Sequence, residues 1–130
     1  MKAKTSGIHH LTIRVSNLEA SRRFYEDTVG VETATPEEGL FLFQSGNTVV
    51  VFRPPLEGTL PGDRFSEYRI GLDHVAFAVE DRTELERLVE RLQAAGVETA
   101  GIEVEPGLDL NKEYVCFRDL DNVQLEFFMV

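Results

Sequence analysis

The chain has 130 residues, 42% of them hydrophobic and 28% charged, with a formal charge of −10, which suits one compact domain or two small modules sharing a core. The acidic balance argues against a nucleic-acid partner, and no apolar run is long enough to cross a bilayer. One cysteine, Cys116, excludes an internal disulfide framework, and Met1–Ser6 carries no signal-peptide pattern, so a cytoplasmic protein is expected.

The first element in chain order is IHHLTIRV, residues 8–15. Leu11, Ile13 and Val15 alternate as on a half-buried strand, which leaves His10, Thr12 and Arg14 on the other face. SNLEASRRFYEDTVG follows, with Leu18, Ser21, Phe24, Tyr25 and Val29 at helical spacing and Gly30 as a C-terminal stop. Ser16 and Glu19 have capping-box spacing, and Asn17 is an equally good start. LFLFQ and TVVVFR read as a hairpin closed by Ser45-Gly46-Asn47. Residues 54–70, rich in proline and glycine, read as a linker.

The second half begins with LDHVAFAV, where Val75, Phe77 and Val79 share one face and His74, Ala76 and Ala78 the other. EDRTELERLVERLQAAG is an amphipathic helix with Leu85, Leu88, Val89, Leu92 and Ala95 at helical spacing and Asp81–Glu84 at its start. Two strand-like runs close the chain, EYVCFR and VQLEFFMV, joined by residues 119–122.

The two halves repeat each other. GVETA occurs at residues 30–34 and again at 96–100, each time leaving a helix through its glycine, and Val-Glu-Thr is expected to begin an edge strand. His10 and His74 fall in register, and Asn47 corresponds to Asn122. The offset between halves grows within the helix and in the loop at 101–111, where insertions are tolerated. Module one spans about 7–53, the linker about 54–70 and module two about 71–130, all within a single domain.

The segments HHLTIRVSNLEASRRFYEDTVGV, LDHVAFAVEDRTELERLVERLQAAGV and YVCFRDLDNVQLEFF resemble the vicinal oxygen chelate superfamily, also called the glyoxalase/bleomycin resistance/dioxygenase superfamily. The resemblance covers nearly the whole chain. It implies an α+β fold of paired βαβββ modules with curved sheets around a cavity and helices outside. It also implies a divalent metal that chelates vicinal oxygens of a small substrate, and a homodimer in which modules of different chains often pair. The fold does not by itself fix the reaction.

Alternation locates the chemistry. If Val123, Leu125 and Phe127 enter the core, then Gln124, Glu126 and Phe128 face the cavity. Glu126, between apolar neighbours, needs a partner there. The expected metal ligands are therefore His10, His74 and Glu126, a set suited to Fe, Mn, Zn, Ni or Co and matching the superfamily's ligand positions. The resemblance further implies that His10 of one subunit is able to join His74 and Glu126 of another. Val51 corresponds to Glu126 in module one and cannot ligate, so the set departs from the four-ligand glyoxalase I type and resembles three-ligand members.

Thr12, Arg14 and Phe128 are candidate substrate contacts, Arg14 for a carboxylate. His9, which corresponds to Asp73, reads as a surface or packing residue on the helix-facing side. Cys116 reads as a small buried hydrophobe, Tyr114 and Cys116 have no assigned face, and Phe41, Phe43 and Phe128 read as wall and core aromatics. No catalytic base stands out. Dioxygenase, lyase and thiol-transferase chemistries remain open beside a different class, a metal-free drug-sequestering protein of the bleomycin-resistance type, for which the acidic charge would attract a cation.

Overall fold

A computed structural model describes residues 1–105, 107 and 112–130. Strand β1 (His10–Arg14) leads into α1 (Leu18–Arg23), followed by a hairpin of β2 (Phe41–Ser45) and β3 (Thr48–Arg53). Module two repeats the plan with β4 (Val75–Val79), α2 (Arg82–Ala94), β5 (Glu103–Glu105), β6 (Lys112–Arg118) and β7 (Gln124–Met129). The sheets run β1-β3-β2 and β4-β7-β6-β5, with β1–β3 and β4–β7 parallel and the other pairs antiparallel. The loop expected at 101–111 lies partly outside the described residues.

Both helices begin at the residues that share register. Asn17 caps α1 by accepting from the Ala20 amide, and Asp81 caps α2 by accepting from the Thr83 amide; a side-chain oxygen at this position satisfies an amide that the helix itself leaves free. The first helix is not regular to its end. From Phe24 to Val29 it widens into a π-helical turn, which turns Phe24, Tyr25, Thr28 and Val29 into the core together. In α2 the stripe Leu85, Leu88 and Leu92 is fully buried, whereas Ala95 lies past the helix end and is exposed.

Gly30 and Gly96 both take left-handed conformations, φ +88° and +71°, as helix exits favour. Gly30 has a second reason to be glycine. A Cβ there would lie 2.7 Å from the guanidinium of Arg91, which reaches across from α2 and donates to the carbonyls of Thr28 and Val29. An arginine at these free carbonyls also complements the negative end of the helix dipole.

The Val-Glu-Thr segments after the two glycines do not begin strands. Val31 and Val97 pack against the core instead, and Thr33 turns its hydroxyl to Arg22 and Glu26. Module one retains only the single bridge Ala34–Leu42 where module two has β5.

The core is one contiguous cluster that spans both modules. Tyr25 is fully buried, with Phe52 at 4.3 Å between ring centroids, and Phe52 stacks on Phe41 at 4.4 Å. Phe43 and Phe77, 5.5 Å apart, carry the aromatic packing from module one into module two. Phe41 and Phe43 are thus core residues facing the helices, and neither lines an open sheet face.

Candidate metal and ligand-binding faces

The faces opposite the helices hold the candidate residues. On β1, Ile13 is buried while His10, Thr12 and Arg14 are exposed; on β4, Phe77 is buried while Ala76 and Ala78 are exposed. On β7, Leu125 and Phe127 are buried, which leaves Glu126 on the open face. Thr12 pairs with Val51, and in module two Ala76 pairs with Glu126. Since Thr12 and Ala76 are repeat equivalents, Val51 occupies in module one the position of Glu126 in module two.

His74 Nε2 lies 3.4 Å from Glu126 Oε2. Burial raises the Glu126 pKa above its usual value, against the opposing pull of His74. Such a carboxylate gains from any cation brought beside it. On its far side, His74 Nδ1 lies 2.6 Å from Asp73 Oδ1. That contact sets the ring orientation and leaves Nε2 directed at Glu126.

Asp73 is absent from the residues picked out by alternation. The available signal is its place immediately before His74, which His9 shares before His10. In the structure His9 is exposed and its Nδ1 lies 2.9 Å from Nδ1 of His10, so it is not a helix-facing residue. The strand starts only at His10, and pleat alternation does not govern the residue before it.

Within one chain the three candidate ligands do not converge. His74 and Glu126 adjoin on the second sheet, His10 stands on the first, and no three His, Cys, Asp or Glu side chains form a metal-sized group among the described residues. The candidate substrate contacts are divided in the same way. Phe128 stacks on Tyr114 at 6.2 Å on the second sheet, and Thr12 and Arg14 line a cavity beside β1. Arg14 donates through Nη1 to the Pro54 carbonyl, 2.9 Å away.

Strand pairing settles the faces of Tyr114 and Cys116. Val115 and Phe117 enter the core, so Tyr114 and Cys116 share the open face, and Cys116 pairs with Glu126. Burial pushes the Cys116 thiol up, and the neighbouring Glu126 adds to the shift, so the thiol is a weak nucleophile at neutral pH. Burial followed by the charges of Glu103, Glu126 and Glu105 raises Tyr114 as well.

Two sheets of parallel-plus-hairpin topology, related by an internal repeat and carrying histidines at matched places, define the paired βαβββ class of protein. The sequence model described as Glyoxalase/Bleomycin resistance protein/Dioxygenase superfamily matches residues 7–127, and the chain belongs to that superfamily. It is 31% identical over 132 residues to YwkD of Bacillus subtilis (strain 168), covering 93% of this chain and 94% of that protein. Among solved structures it is similar to a glyoxylase/bleomycin resistance protein/dioxygenase domain from Frankia sp. EAN1pec, at 30% identity, TM-score 0.79, and 97% and 98% coverage of the two chains. The lactoylglutathione lyase of Agrobacterium tumefaciens shares the fold at 21% identity and TM-score 0.70, with 97% and 95% coverage.

Proposed function

We propose that this protein is a divalent-metal-dependent enzyme whose site joins His74 and Glu126 of one chain to His10 of a second, identical chain. The 3.4 Å approach of His74 Nε2 to Glu126 Oε2, on an open sheet face, carries this reading. Imidazole nitrogen and carboxylate oxygen together suit Fe, Mn, Zn, Ni or Co, and a third donor is needed for firm retention. His10 has the matching repeat position, is exposed, and stands on a face with no further imidazole or carboxylate on its strands. The active form in this reading is a homodimer. A cytoplasmic setting suits the free thiol of Cys116.

A bound ion in this superfamily supplies Lewis-acid polarisation to adjacent oxygens of a small substrate. The chain's own residues have separable tasks. Asp73 holds the His74 ring through Nδ1. The stacked pair Tyr114 and Phe128 offers a flat apolar wall to the substrate's body. Thr12, two residues beyond His10 on the same face, is placed for a hydroxyl contact, and Arg14 beyond it for an anionic group. Val51 supplies no carboxylate at the equivalent place in module one, so proton abstraction by a base there is not part of the proposal. Dioxygenase, lyase and transferase reactions are compatible with the set.

One observation favours a second reading. Glu103 pairs with Tyr114, Tyr114 with Phe128 and Cys116 with Glu126, so the second sheet's open face is acidic and aromatic. A metal-free protein that sequesters an organic cation would use such a face.

Metal content separates the two readings. Protein purified without chelator is expected to carry about one equivalent of metal per chain, falling below about a tenth in His74→Ala and in Glu126→Ala. A parent protein as metal-poor as His74→Ala would sink the enzyme reading in favour of cation sequestration.

A further inference from the structure

We propose that a cavity between β1 and the segment joining the two modules is a second ligand site, which takes a small organic anion with an apolar body. The cavity measures about 440 Å³, within the range of small-molecule pockets. One wall is β1 with Val15 and Ser16, the other is drawn from residues 55–72, and Asp121 and Val123 form the floor. His10, His74 and Glu126 do not line it. The cavity shares Thr12 and Arg14 with the face proposed for the substrate, but rests on none of the three candidate metal ligands.

Three arginines line this cavity, Arg14, Arg64 and Arg69. The protein has 23 acidic residues against 13 basic ones, so carboxylate partners are plentiful. Arg22, Arg23, Arg87 and Arg118 each pair with one, and Arg82 with two. Among the described residues, Arg14, Arg64 and Arg69 pair with none, nor do Arg53 and Arg91, of which Arg91 is engaged by backbone carbonyls; Arg64 and Arg69 make no side-chain hydrogen bond. Two acids share the cavity, Asp63 and Asp121. Asp121 already accepts from the Ser16 amide at 3.1 Å. The local balance is positive in a protein whose formal charge is −10. Arginines that line one cavity and pair with no carboxylate among the described residues suit a carboxylate or phosphate oxyanion, which a fork of N–H donors grips through two oxygens.

The rest of the lining sets the ligand's other end. Leu11, Ile13, Phe65, Ile70, Leu72 and Val123 make most of the wall apolar. A bare inorganic ion leaves that wall wet, whereas a chain or ring of several carbons covers it.

The joining segment is held in place around its arginines. The Phe65 amide donates to the Asp121 carbonyl at 3.0 Å, and Asn122 Nδ2 donates to the Phe65 carbonyl at 3.0 Å. Glu67 takes a two-pronged contact from Arg118 at 2.7 and 3.0 Å. Arg64 and Arg69 flank this anchored stretch, so their backbone positions do not need to be ordered by the ligand, which lowers the entropic cost of binding.

Hexyl phosphate titrated into the full-length protein by calorimetry tests the site. Saturable binding is expected, at least about tenfold tighter than inorganic phosphate, with hexanol silent. The double variant Arg64→Ala/Arg69→Ala, altered only at exposed side chains, is expected to lose at least about tenfold in affinity with its melting temperature kept, and His74→Ala to bind as the parent does. Equal affinity in the double variant and the parent overturns the proposal. So does loss of binding in His74→Ala. A double variant that turns a dimer into a monomer, in a protein that never binds hexyl phosphate, also overturns it and assigns the cavity to a second copy.

Discussion

The hydroxyl of Tyr25, in module one, donates a 2.7 Å hydrogen bond to Asp119 Oδ2, in the β6–β7 turn of module two. Both groups are buried, and burial raises the pKa of each. Asp119 Oδ1 also accepts from the amides of Asp121 and Val123, and Asp121 accepts from the Ser16 amide. The turn therefore ties the two modules by polar contacts, and the Tyr25 ring also stacks on Phe43, which packs on Phe77. Tyr25→Phe removes one donor and leaves a buried carboxyl with fewer partners. We expect a loss of about 1–3 kcal/mol in unfolding free energy, measured by urea denaturation at pH 7.

The Glu67–Arg118 pair should make stability depend on acid. Hydrogen bonds from Arg118 hold the Glu67 carboxyl at about 2, below its usual range. A folded-state pKa below the unfolded one gives stability that is full above the unfolded value and is lost as pH falls toward the folded one. Wild-type protein is expected to melt above Glu67→Gln at pH 6, and the gap is expected to close between about pH 4 and pH 2. A gap that stayed constant on acidification would remove this pair from the account.

The two GVETA motifs should differ in their tolerance of alanine. At Gly96 nothing lies within 4 Å of an added Cβ, so only the left-handed backbone is penalised, by about 1–2 kcal/mol. At Gly30 the same penalty applies, and the new methyl also displaces Arg91 from the Thr28 and Val29 carbonyls, a further loss of roughly 1 kcal/mol. Thermal melts of the two single variants are expected to rank Gly30→Ala below Gly96→Ala.

A site shared between chains predicts complementation. His10→Ala and His74→Ala are each expected to hold little metal alone. Mixing them by joint unfolding and refolding creates heterodimers in which one of the two sites is intact, which restores about a quarter of the parent's metal per chain. A site closed within one chain would gain nothing on mixing.

Asp73 acts on the metal only through the His74 ring. Asp73→Asn is expected to weaken metal affinity about 10- to 100-fold with the melting temperature of the metal-free protein unchanged. Competition with a chelator of known affinity measures the effect. Unaltered affinity would mean that the Asp73–His74 contact has no part in holding the ion.

The strand faces, both helix starts, the hairpin at Gly46 and the glycine exits were legible in the residues. Each depends on local spacing: alternation for strands, a capping oxygen before a helix, a left-handed glycine after it. Internal repetition extended that reading, since it matched His10 with His74 and Val51 with Glu126 without reference to any coordinate. The wide turn at Phe24–Val29 and the packed path of Val31 and Val97 were not legible, because the core decided them rather than local propensity.

By itself, then, the order of the residues determined that two alike modules form and which side of each sheet stays polar. Only the tertiary structure decided how those polar sides are distributed in space. It put His74 beside Glu126, left His10 on the other sheet, and gathered Arg14, Arg64 and Arg69 around one cavity. The reason is physical. A strand's faces are set by a period of two residues along the chain, whereas the meeting of side chains many positions apart depends on how helices and aromatic rings pack between the modules, and no local pattern encodes that distance.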